Sequence, residues 1–148
     1  MPETLSPPVF SAMLAGTLLI VQTITMLMVG FYRSRTRTGA GDNGDITLER
    51  LVRRHGNLAE NAAIFLVVLM LYELLFGDTL FALVIGVVFL IARMLHIIAF
   101  SSDAGSHLVH AHGAGRIYVV LRVAGAGITA VSTLALGLTL IVSIIMTY

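Results

Sequence analysis

Four long apolar runs, separated by short polar segments, constrain this chain more than any other feature. They cover roughly residues 9–31, 58–76, 79–100 and 117–146. A helix needs about 20 apolar residues to cross the hydrocarbon core of a bilayer, and each run is close to that length. Lipid offers no partner to an open backbone N–H or C=O, so each run must satisfy its own hydrogen bonds as an α-helix. Charged residues make up only 11% of the chain, against roughly 25% in a soluble domain. The expected class is therefore all-α: an integral membrane four-helix bundle forming a single domain over residues 1–148. Pro7 and Pro8 stand just before the first run, where a missing N–H is tolerated. That run has no basic leading segment, so it is expected to be retained as a helix and not removed as a signal peptide.

The polar segments suggest an orientation. All nine basic residues are arginine, and six of them fall between Arg33 and Arg54. The positive-inside rule puts this segment, with its turn-like "TGAGDNGD", in the cytoplasm. Four spans then place both termini outside it, and Arg116 and Arg122 on its cytoplasmic side. The second and third runs are joined near "FGD", flanked by Glu73 and Asp78, a link short enough for an antiparallel hairpin. There is no cysteine, which excludes a disulfide framework, a thiolate metal site and a cysteine nucleophile. Any thiol chemistry must use a ligand's thiol. His107, His110 and His112 lie in the polar 101–115 link in a spacing with no fixed geometry, and no metal is expected there. The lone "GAG" follows no strand, so neither a nucleotide site nor a nucleic-acid partner is expected.

The border of the second run raises a sharper question, because it carries charge into an apolar segment. At 100° per residue, Arg53, Asn57 and Glu60 fall within about a 60° arc of one helix, with Arg50 about 60° to one side. His55 points away from this arc. In the third run Arg93, His96 and Phe100 share a face at i, i+3 and i+7. An intramembrane arginine needs a partner, and Glu60 is the acidic residue of similar depth, so an Arg93–Glu60 pair between the two helices is expected. Membrane anchoring, a structural ion pair and a satisfied buried histidine would account for these residues one at a time. Together they suit a small ligand bearing carboxylates and an amino group, because guanidinium grips carboxylate in a bidentate way.

The segment "RLVRRHGNLAEN" carries R-x-H-x-N-x-x-E. It resembles the signature of the MAPEG family, the membrane-associated proteins in eicosanoid and glutathione metabolism. "ARMLHIIAF" and "RVAGAGIT" resemble that family's third helix and the start of its fourth, as found in bacterial members. The resemblance implies a MAPEG-like homotrimer whose glutathione sites lie between subunits, open to the cytoplasmic side and to the membrane. It implies that Arg53, His55, Asn57, Glu60, Arg93, His96 and Phe100 surround glutathione, the co-substrate; Arg50, beside the polar arc, and Asn61 are expected to line the same site. An arginine opening the fourth helix, Arg122 or Arg116, would stabilise the thiolate. Asn61 and Phe100 stand where other members often carry tyrosine. The 101–115 link is longer than in mammalian members. The implied activity is a detoxification-type glutathione transferase, with hydroperoxide reduction as a second reaction, acting on a lipophilic small molecule in a bacterial inner membrane. Two other readings stay open at this point: a non-catalytic lipid-binding or scaffold member of the same fold, and a small transporter.

Overall fold

A computed structural model describes residues 7–105 and 115–147 of the chain, and within them the architecture is four long helices with no strand. They are α1 (Val9–Thr36), α2 (Ile46–Phe76), α3 (Leu80–Ala99) and α4 (Arg116–Thr147), with a 3-10 turn at Asp103–Gly105 after α3. All four are long and apolar enough to cross a membrane.

The helices outrun the apolar runs at the arginine-rich end. The segment expected as a polar loop over 33–54 is helical except for 37–45, because α1 continues to Thr36 and α2 begins at Ile46. Apolarity marks the thickness of lipid, not the end of a helix. At 1.5 Å per residue, the 31 residues of α2 reach about 46 Å, well beyond a hydrocarbon core of about 30 Å. The turn between α1 and α2 is built by residues suited to left-handed backbone: Gly41 (φ 67°), Asn43 (φ 52°) and Gly44 (φ 76°). Asp45 then caps α2, its Oδ1 accepting from the amides of Thr47 at 2.8 Å and Leu48 at 3.1 Å. The Tyr32 hydroxyl donates to Asp45 Oδ2 at 2.9 Å and ties the end of α1 to the start of α2. The Leu48 amide first, then Tyr32, hold the Asp45 carboxyl below the ordinary carboxylate range.

At the opposite end α2 stops at Gly77 (φ 77°), whose N–H donates to Glu73 O at 2.7 Å. Thr79 restarts the chain, its hydroxyl accepting from the Ala82 amide at 3.1 Å. The short link makes α2 and α3 antiparallel neighbours as expected, yet α3 packs most extensively on α4, and α1 on α2. The core between them holds Leu14, Leu18, Leu58, Leu69 and a stacked pair, Phe65 and Phe89, with ring centroids 3.7 Å apart. Many large apolar side chains, among them Leu19, Ile64 and Val131, point outward. On a soluble protein this surface would drive association; on a bundle of membrane-spanning helices it suits lipid.

Glu73 departs from its expected role as a flank of the hairpin link. It is fully buried, and its two carboxylate oxygens accept from the amides of Phe10 at 2.9 Å and Ser11 at 2.7 Å. Those amides are two of the orphan donors that open α1. The first helix has no side-chain cap of its own, so a carboxylate from α2 serves instead, also facing the positive end of the helix dipole.

Candidate functional site

The polar arc of α2 forms one wall of a cavity of about 400 Å³ at the arginine-rich end of the bundle. Arg50, Arg53, Asn57 and Glu60 line it from α2, His96 from α3, Phe100 from the cap of α3, and Arg122 from α4. The arc follows from helix geometry alone. The other walls depend on how α3 and α4 lean against α2. His96 is 5% exposed and its ring sits 5.1 Å from that of Phe100. The Arg122 guanidinium lies over the Phe100 ring, 5.1 Å from its centroid, a cation–π contact that holds the charge toward the cavity. Arg50 pairs with Asp103 of the 3-10 turn at 2.8 Å. Arg53 and Glu60 are exposed at the mouth, and neither makes a hydrogen bond or ion pair among the described residues.

Behind this cavity Arg93 organises the three helices. It is 2% exposed, and the expected Arg93–Glu60 pair does not form. Its Nη1 donates to Asn57 Oδ1 at 2.6 Å and to Asn57 O at 3.2 Å. Its Nη2 donates to Thr129 Oγ1 at 2.5 Å and to Gly125 O at 3.4 Å. The physical reason is rotation: α3 aims Arg93 between α2 and α4, where it meets neutral dipoles, while Glu60 faces outward one turn away. Both Nη groups find acceptors without consuming the carboxylate, while Nε stays buried with no partner among the described residues; Glu60 is left open to a ligand's cation. Close approach of α3 and α4 makes this geometry, and it needs Gly125, where an added Cβ would lie 2.8 Å from Ala92 O and 2.9 Å from the His96 amide nitrogen.

The sequence model of the MAPEG family matches residues 11–148. This chain belongs to the MAPEG family. No curated protein matches it. Four apolar helices in a MAPEG protein make it a multi-pass integral membrane protein, and the family includes glutathione transferases and related enzymes as well as non-enzymes.

Within this MAPEG chain the expected site residues divide. Arg50, Arg53, Asn57, Glu60, His96, Phe100 and Arg122 surround one cavity. Asn57 and His96 also border a second groove of about 400 Å³, with Asn61, Arg93 and Thr129; Asn61 donates to Asn57 O at 2.8 Å and so sits deeper along α2. His55 is directed elsewhere: its Nδ1 lies 3.0 Å from Gln22 Nε2 and 3.5 Å from Thr25 Oγ1 of α1. It joins α2 to α1 and does not reach the cavity, the outcome its helical angle already suggested. Arg116 is exposed at the first turn of α4 and does not line the cavity, whereas Arg122 does. His107, His110 and His112 lie outside the described residues.

Four contributors were missed by sequence reading. Glu49 lines the cavity, Asp103 holds Arg50, Arg54 donates to Phe100 O at 2.8 Å, and Thr129 holds Arg93. Thr129 alone had a usable signal, since it stands two turns after Arg122 on the same face of α4. Arg54 reads as an anchor until α3 is placed beside it.

Proposed function

We propose that this protein is a membrane-bound glutathione-dependent transferase, acting as a homotrimer, in which the Arg122 guanidinium stabilises the glutathione thiolate. The observation that carries the reading is the charge layout of the cavity. Arginines stand at its rim, the Glu60 carboxylate at its mouth is unpaired among the described residues, and Arg122 is held over the Phe100 ring on the opposite wall. Glutathione bears two carboxylates and one ammonium, which suit Arg53 and Arg50 on one side and Glu60 on the other. A free thiol with pKa about 8.5 is only a few per cent ionised at pH 7. A fixed guanidinium beside the sulfur favours the anion, and the thiol proton leaves to solvent. The thiolate then attacks a lipophilic electrophile, forming a C–S bond as the leaving group departs with its electron pair. With a hydroperoxide, two glutathiones are oxidised to the disulfide while ROOH is reduced to ROH and water. The groove lined by Asn61, Thr129 and apolar α4 residues adjoins the thiol site and suits the second substrate. A subunit boundary at the exposed Arg53 and Glu60 would remove both charges from lipid, which supports the trimer.

Replacing Arg53 by alanine is expected to weaken glutathione binding by about 1.5–3 kcal/mol, the scale of a hydrogen bond to a charged group. Titration calorimetry in detergent measures it, with light scattering reporting three chains per particle before and after. Unchanged affinity would remove Arg53 from the site, loss of assembly would make it structural, and a monomeric wild type would overturn the shared-site reading.

Arg122→Leu tests the chemistry. Ultraviolet difference absorbance should show a thiol pKa below that of free glutathione in the wild type and a return toward the free value in the variant. Binding should persist through Arg53 and Glu60, so turnover falls at saturating glutathione. Arg116→Leu should behave as wild type. If neither substitution moves the thiol pKa, arginine activation is wrong and a non-catalytic role gains ground.

A further inference from the structure

Arg50 already holds a carboxylate, and that carboxylate belongs to the chain itself. Its Nη1 lies 2.8 Å from Asp103 Oδ1. The two ends of the pair differ in surroundings: the Arg50 side chain is 16% exposed and that of Asp103 is 77% exposed. Arg50 Nη2 makes only a long contact of 3.5 Å to Thr47 Oγ1, so the guanidinium keeps a second terminal donor beside the one Asp103 uses. The turn bearing Asp103 is anchored at the cavity edge. Arg54 donates to Phe100 O at 2.8 Å, the Ser101 amide donates to Ile98 O at 2.9 Å, and Ala104 presses on Gly115 so closely that an added Cβ there would lie 2.9 Å from it.

Charge completes the picture. Three arginines and two glutamates line the cavity; leaving His96 aside, Asp103 cancels the single excess positive charge. We propose that Asp103 is an internal stand-in for a ligand carboxylate, seated on Arg50 and exchanged for the ligand's own carboxylate on binding. A water-exposed carboxylate gains little from one ion pair, so it yields readily to a ligand that uses the remaining Arg50 donors in a bidentate contact. The exchange keeps the cavity neutral only for a ligand of net charge −1, and Asp103 thereby selects for that charge. Glutathione arriving as the thiol, with two carboxylates and one ammonium, meets the condition; ionisation of the thiol beside Arg122 follows the exchange and adds the second negative charge. The proposal rests on the glutathione reading above and adds the device that sets its affinity.

The test is titration calorimetry of the full-length wild type, Asp103→Asn, Asp103→Ser, Arg50→Gln and the Arg50→Gln/Asp103→Asn double variant with glutathione. Both Asp103 variants should bind about two- to fivefold more tightly than wild type, the scale of one exposed ion pair given up. Arg50→Gln should weaken binding, and adding Asp103→Asn to it should change nothing further. Equal or weaker binding by both Asp103 variants, with a wild type that binds, overturns this proposal and leaves the glutathione reading standing. A gain that survives in the Arg50→Gln background also overturns it, since the effect would then be general electrostatics. If no protein in the set binds glutathione, the proposal falls together with the reading beneath it.

Discussion

Replacing Glu73 by alanine is expected to free the start of α1 from α2 and to destabilise the bundle more than any surface change. The substitution leaves the amides of Phe10 and Ser11 without their acceptors, which sit at 2.9 and 2.7 Å in the native protein. Each buried donor left unmade costs about 1–3 kcal/mol, and the favourable meeting of a carboxylate with a helix N-terminus is lost as well. Glu73→Gln keeps one acceptor oxygen and should fall between the two. Thermal unfolding in mild detergent reads the order wild type, glutamine, alanine. Because Glu73 stands at the end of the bundle remote from the cavity, glutathione affinity in material that remains folded should be unchanged. If Glu73→Ala melts with the wild type, water or lipid headgroups satisfy these amides and the carboxylate does not clamp the helix.

Gly125→Val should open the contact between α3 and α4. Its Cβ would fall 2.8 Å from Ala92 O, 2.9 Å from the His96 nitrogen and 3.1 Å from His96 Cβ. Two of these are backbone atoms of a helix, which cannot turn aside, so the helices must separate. Overpacking of this kind costs about 1–3 kcal/mol and sometimes more, and valine's branch adds to it. Separation also pulls Thr129 and Gly125 O away from Arg93 and displaces His96 from the cavity wall, so binding and turnover should fall together with stability. Gly127→Ala is the matched control: nothing lies within 4 Å of an added Cβ there, and exchanging a helical glycine for alanine is favourable by about 1 kcal/mol. Equal melting of Gly125→Val and Gly127→Ala would show that α3 and α4 do not approach as closely as these distances require.

The four spans and the polar arc could be read from the chain before any packing was known. Both are local consequences of one helix. An apolar run in lipid has no alternative to α-helix, and residues three, four and seven apart share a face whatever surrounds them. Arg50, Arg53, Asn57 and Glu60 were therefore legible as one wall, and His55 as lying off it. The helix ends were less legible, since α1 and α2 continue as helices through polar sequence, where hydropathy gives no signal.

Contacts between helices had no such local signal. Glu60 was the expected partner of Arg93 because both are charged and of similar depth. The rotation of α3 instead aims the guanidinium at Asn57 and Thr129, and no single-helix pattern contains that rotation. Glu73 looked like a residue beside a turn until the start of α1 came to rest against it. Arg122 was the first candidate and Arg116, six residues and about 120° away on α4, the second; α3 sets which face of α4 turns toward the cavity, and that face carries Arg122. Composition and periodicity specify what each helix presents. Which presented groups meet depends on helix rotation and crossing, set by close approaches such as that at Gly125 and by the long-range packing of buried side chains.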